Sequence, residues 1–153
     1  MNTSPEGIQR CQPPTGRISE VGWHLFGAAV AGLGAAAHVF FAYIETLGWR
    51  LHIVRKIAPS WLEGLEDAKS AEHTEWARRL ALNIGVYNLM LAIGLAWTCW
   101  AFATQSPTAG ALGIFFGIWL LAAAGAALYT QVFRAFVAQG MLGARLLLAA
   151  AFA

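Results

Sequence analysis

After Arg79 the chain carries no formally charged residue until Arg134, and this stretch limits the available folds more than any other feature. A hydrocarbon layer about 30 Å thick is crossed by about 20 helical residues rising about 1.5 Å each, so the run is long enough for two crossings. Thr104 to Gly110, reading Thr-Gln-Ser-Pro-Thr-Ala-Gly, supplies the turn between them. A second uncharged run from Val21 to Ile44 makes one more crossing, and an apolar run from Phe136 to Ala153, interrupted by Arg145, makes the last. The expected fold class is all-α: a four-helix transmembrane bundle with helices near residues 21–44, 80–102, 111–133 and 136–153. With 58% hydrophobic and only 12% charged residues, the chain is too apolar for an ordinary soluble domain.

Residues 1–20 hold Pro5, Pro13, Pro14, Gly7 and Gly16 with little apolar periodicity, the composition of a flexible polar tail; residues 21–153 form the membrane domain. Between helices one and two, Arg50, Arg55, Lys56, Lys69, Arg78 and Arg79 are set among Glu63, Glu66, Asp67, Glu72 and Glu75, so this connection faces water. Its stretch from Pro59 to Trp76 reads either as an interfacial helix with Trp61, Leu62 and Leu65 toward the headgroups or as a solvated loop helix. Lys and Arg in short loops mark the cytoplasmic side. The charged loop and the turn at Arg134 are therefore expected in the cytoplasm and both termini outside, with Trp23, Trp97 and Trp100 near the outer interface and Trp49 and Trp76 near the inner one. A net charge of +2 and the lack of a nucleic-acid-binding motif give no expectation of nucleic acid. The expected partners are the lipid bilayer and a homo-oligomer or larger membrane complex. Cys11 and Cys99 lack Cys-x-x-Cys spacing and read as inert thiols.

The chemistry concentrates between His38 and Trp49, where an ionisable pair, His38 and Glu45, sits inside an apolar run. A charge in hydrocarbon costs several kcal/mol unless paired, so both groups need partners from other helices. Taking Trp49 and Leu80 as cytoplasmic helix ends, Glu45 and Asn83 each lie about one turn inside, with Gln139 on helix four at the same level. Tyr87, Asn88 and His38 lie about two turns deeper. The expected polar intramembrane cluster is thus His38, Glu45, Asn83, Tyr87, Asn88 and Gln139. Arg145 is expected either to join it through a buried ion pair with Glu45 or to snorkel to the outer surface.

At these residues the chain resembles the small bacterial and fungal membrane proteins catalogued as domain of unknown function 1304. His38, Tyr43, Glu45 and Trp49 fit that family's first-helix pattern, and Asn83-Ile-Gly85-Val-Tyr87-Asn88 with Gly94 and Trp97 fits its second-helix signature. Gln139-Gly140 fits its last helix. The resemblance runs from about Val21 to the C-terminus and excludes the tail; Arg145 departs from an apolar pattern, and the charged loop is longer than the family's. It implies a multi-pass, four-helix protein of the bacterial cell inner membrane and carries no established activity.

No metal site is expected, because His38 and Glu45 lie about 10 Å apart along one helix, whereas two ligands from one helix come at i,i+3 or i,i+4. No cofactor is implied, and no catalytic residue is assigned. The leading expectation is an accessory or scaffolding subunit whose polar cluster is an interhelical hydrogen-bond network, with Gly113 and Gly117 offering a face to a neighbouring subunit. The alternative is a small-molecule or lipid-binding membrane protein, an enzyme or proton-coupled transporter that uses Glu45 or His38 to move protons. A cavity at the cluster wider than one water favours the alternative; a solid core favours the scaffold.

Overall fold

The computed structural model describes residues 15–46, 71–130 and 132–153. They form four α-helices and no strand: α1 (Thr15–Thr46), α2 (Ala71–Ala103), α3 (Ala109–Tyr129) and α4 (Phe133–Phe152). Each contains a segment long and apolar enough to cross a membrane: Glu20–Thr46, Arg78–Ala103, Ala109–Tyr129 and Phe133–Phe152. The helical architecture answers the solvent, since hydrocarbon offers no partner for a backbone N–H or C=O and only the helix satisfies both within one segment. Large apolar side chains such as Leu25, Phe40, Ile93, Trp97 and Ile118 lie exposed on the outside, as lipid-facing residues do.

The helices pack as two hairpins. α1 lies along α2 and α3 along α4, while α1 meets α4 less extensively and α2 barely touches α3. Small residues set these distances, because a missing Cβ lets backbones approach closely. In the first hairpin Gly27 faces the ring of Phe102, Gly34 faces Leu95, and Gly85 faces Ala42, Glu45 and Thr46. In the second, Gly143 sits against the backbone oxygen of Gly117 and the side chain of Leu120, and Gly113 sits against Ala150. The Gly113 and Gly117 pair therefore closes the α3–α4 seam inside the chain. This corrects the expectation that the pair presents a face to another subunit. The main core, with Ala31, Leu95, Phe102, Leu120 and Leu146 fully or almost fully buried, joins the hairpins. Trp23 near the start of α1 stacks on Phe152 at the end of α4, ring centroids 5.0 Å apart. The first and last spans thus end at the same side of the bundle.

Helix boundaries differ from the sequence expectation at three ends. α1 starts at Thr15, inside the stretch read as a tail, and α2 starts at Ala71, within the stretch from Pro59 to Trp76. The rest of the tail and the amphipathic segment with Trp61, Leu62 and Leu65 lie outside the described residues. α3 ends at Tyr129, short of the expected Phe133: the Thr130 hydroxyl donates to the Ala126 carbonyl at 3.0 Å, and the Val132 N–H reaches back to the Ala127 carbonyl at 2.8 Å. The α2–α3 turn closes in the same way. Ser106 N–H bonds the Ala101 carbonyl and Gln105 N–H the Phe102 carbonyl, a helix-ending motif that places Gln105 in the left-handed region at φ 53°.

Candidate functional site

The α1–α2 seam carries the polar residues. α2 presents Gly85, Asn88, Leu91, Ala92, Leu95 and Thr98 inward, half-buried or buried at helical spacing. Asn88 thereby lies between His38 and Glu45, which are two turns apart on the facing side of α1. Its Nδ2 donates to Glu45 Oε2 at 2.6 Å, and its Oδ1 meets His38 Nδ1 at 2.8 Å. Gly85, one turn before Asn88, leaves room for Glu45: a Cβ there would come within 2.5 Å of Thr46 Cγ2 and 3.3 Å of Glu45 Cβ. His38 is 1% exposed and Glu45 9% exposed, so both lie within the bundle wall.

The hydrogen-bond types fix the direction of this row. A carboxylate oxygen accepts, so Asn88 turns its NH₂ toward Glu45 and its carbonyl toward His38; a carbonyl also only accepts, so His38 Nδ1 carries a hydrogen and donates. In the neutral ring the other nitrogen, Nε2, is then a bare acceptor. That atom is buried and has no hydrogen-bond partner. Buried polar atoms are nearly always bonded, so this bare nitrogen is an exception inside the bundle wall.

His38 and Asn88 line a cavity of about 340 Å³ together with Tyr87, Met90, Leu91, Phe115, Phe116, Trp119, Ala123 and Gln139. The walls come from all four helices and close where the two hairpins diverge. Tyr87, Met90, Phe115 and Trp119 are each more than half exposed, so the cavity is a cleft open at the bundle's flank. Its volume is that of a small-molecule pocket and far above that of one water. Its lining is overwhelmingly apolar, and His38, Tyr87, Asn88 and Gln139 are the lining residues that carry polar side-chain groups beside it.

Of the residues expected to cluster, the structure brings together His38, Asn88 and Glu45 by hydrogen bonds, and Tyr87 and Gln139 around the cleft. Asn83 is a correction: it is exposed and does not meet Glu45. Five residues separate it from Asn88, about 140° around the helix at 100° per residue, so it faces away from α1. Gln139 is level with His38, not with Glu45. The Trp23–Phe152 contact sets that register, because Gln139 lies thirteen residues and His38 fifteen residues from that common end. The Glu45–Arg145 ion pair is also corrected. Arg145 is exposed, one position and about 100° away from the buried Leu146, and by the same register it lies roughly 20 Å from Glu45 along the bundle axis.

The cleft walls Phe115, Phe116 and Trp119 were missed in the sequence, although aromatics at i, i+1 and i+4 in mid-helix are a signal for such a wall. Phe116 packs over Gly94 of α2, where a Cβ would overlap its ring. No group of three or more metal-ligating side chains occurs among the described residues. The family described as Protein of unknown function (DUF1304) matches residues 32–151, which include the His38–Asn88–Glu45 row and every residue lining the cleft. The chain belongs to the DUF1304 family. No curated protein and no solved structure matches it. For this DUF1304 protein, then, the site's chemistry has to be read from its own atoms.

Proposed function

We propose that the protein is a multi-pass membrane protein of the bacterial inner membrane that binds a small, mostly apolar molecule from the lipid phase in the cleft between its hairpins. The observation that carries this reading is the apolar cleft of about 340 Å³, walled by Phe115, Phe116 and Trp119 and lined also by His38, Asn88, Tyr87 and Gln139. A ligand there gains burial against aromatic walls, and Asn88, Tyr87 and Gln139 supply polar groups that can orient it. The small-molecule reading takes precedence over that of an accessory or scaffolding subunit because a purely structural hydrogen-bond network has no need of an aromatic-walled cleft far larger than one water. The scaffold reading retains support from the bonded part of the row, since His38, Asn88 and Glu45 also join α1 to α2. Homo-oligomerisation or membership of a larger complex belongs to that second reading.

Native mass spectrometry of the protein released from mild detergent separates the two. The ligand reading expects a co-purifying molecule of a few hundred daltons that Ala123→Phe, which fills the cleft, removes. Stoichiometric partner subunits with no small molecule, unchanged by Ala123→Phe, would replace it with the scaffold reading.

A further inference from the structure

Gln139 offers the cleft a polar group that a bound molecule can reach. It is half-buried on α4 and makes no hydrogen bond among the described residues. Its amide atoms are nevertheless not sealed in, since the buried side-chain atoms left without a partner among those residues are His24 Nδ1 and His38 Nε2. Depth removes water as the partner. Gln139 lies six residues inside the span Phe133–Phe152, about 9 Å from that end and below the headgroups, where an amide without a hydrogen bond is costly. Two further donors stand around the cleft without an acceptor among the described residues: Trp119 Nε1 on α3 and the Tyr87 hydroxyl on α2. Both residues are more than half exposed, so neither donor is shut inside the bundle. Trp119 is the middle residue of the span Ala109–Tyr129, whereas tryptophans of membrane proteins gather at the two interfaces, where their polar end is wet.

The chemistry of these groups sets what fits between them. An indole offers one N–H and no acceptor, a carboxamide two N–H and one carbonyl, and a phenol one O–H that also accepts, so donors outnumber acceptors and an acceptor-rich ligand satisfies them. No Lys or Arg lines the cleft, and a carboxylate or phosphate would therefore carry an unpaired charge into hydrocarbon. The acceptors are uncharged. Phe115, Phe116 and Trp119 wall the cleft on α3, and flat rings pack on such walls by offset stacking and edge contacts. Gly113 meets both Phe102 and Ala150, which marks one level shared by α2, α3 and α4. Trp119 lies six residues from that level and Gln139 eleven, so the two donors differ in depth by about 7–8 Å. A ring with a carbonyl on each of two opposite edges bridges that interval with one hydrogen bond at each end. Resting on the ligand-binding reading above, we infer that the cleft takes a quinone-class molecule, a flat uncharged ring with carbonyls on opposite edges, one facing Gln139 and the other Trp119. A ring without carbonyls leaves both donors unsatisfied, and an aliphatic chain gains no stacking.

The test uses the full-length protein in lipid nanodiscs with duroquinone, a benzoquinone methylated at every free ring position so that no ring carbon is open to the Cys99 thiol. Durene, the same methylated ring without carbonyls, is the control. Binding is read by equilibrium dialysis, with empty nanodiscs subtracting what dissolves in the lipid. The expected result is saturable binding of duroquinone, at least tenfold tighter than durene at equal concentration in the membrane, because donors left unpaired penalise the analogue that lacks acceptors. Gln139→Leu and Trp119→Phe, which keep most of the bulk of the walls, should each weaken duroquinone at least fivefold and leave durene within about twofold. Ala123→Phe should remove the saturable binding. If Gln139→Leu loses the wild-type melting behaviour, Trp119→Phe and the durene comparison decide. Equal affinities for the two probes, or duroquinone binding that neither substitution weakens, overturns the carbonyl recognition and leaves ligand binding standing. Absence of saturable duroquinone binding by the wild-type protein overturns the quinone assignment, and the co-purifying molecule then decides separately whether the cleft binds anything.

Discussion

Asn88 holds together two groups that the bilayer would otherwise penalise, since one amide satisfies an oxygen of Glu45 and a nitrogen of His38. Leaving a buried polar atom without its partner costs about 1–3 kcal/mol. Asn88→Leu should therefore lower the melting temperature in detergent by several degrees, whereas Asn83→Leu, on the exposed side of the same helix, should leave it nearly unchanged. Equal losses from the two would show that the row contributes no stability. Arg145 supplies the complementary case. Because it is exposed and far from Glu45, Arg145→Leu and Glu45→Gln should change stability additively, within about 0.5 kcal/mol. A double mutant that recovers part of the loss in thermal melts would restore the ion pair that the structure rejects.

Within the helices, glycines decide where backbones touch. A Cβ on Gly143 would lie 2.9 Å from the Gly117 carbonyl oxygen and 3.1 Å from both Leu120 Cβ and Leu121 Cγ. A backbone oxygen cannot swing aside, so Gly143→Ala should force α3 and α4 apart at a cost of about 1–3 kcal/mol. Gly125, on the same α3, meets nothing within 4 Å, and Gly125→Ala should be neutral or stabilising by up to about 1 kcal/mol through reduced chain entropy. Urea or thermal titrations in detergent that rank the two alike would contradict the seam. The four helices were legible in the sequence because charge marks membrane entry and exit sharply: Arg79 and Arg134 bracket two spans. Helix ends without a charge, such as α3 at Tyr129, were not legible, because the Thr130 hydroxyl that caps the carbonyls works as well inside a helix as at its end. Depth along each helix was read correctly for His38 with Asn88 but not for Gln139, which lies level with His38 and not with Glu45. Azimuth was not read: Asn83 was set beside Glu45 by depth without regard to its facing, and the facing of α2 became visible only with α1 laid against Gly85, Asn88 and Leu95.

Four spans return the chain to the side on which it began, as the Trp23–Phe152 stack shows directly. Reporter fusions after Ala153 and within the charged connection near Glu63 to Glu72 should accordingly read opposite sides of the membrane, with the cytoplasm the side expected of the connection from its positive charge. A cytoplasmic signal from the C-terminal fusion would invert the proposed orientation. The cleft could not be foreseen from sequence because no single helix owns it; its walls come from α1, α2, α3 and α4, and it lies where α2 and α3 make few contacts beyond Phe116 on Gly94. That sparse α2–α3 contact has a mechanical consequence. A bilayer squeezes its proteins sideways, most strongly near the headgroups, and each hairpin, zipped internally through glycines, resists that squeeze as a stiff plate. The joint between the plates is the compliant part, so the size of the cleft is set jointly by the chain and by the lateral pressure of the lipids around it. Short-chain or curved lipids that redistribute this pressure are then expected to alter binding of the proposed ligand without touching a residue of the site.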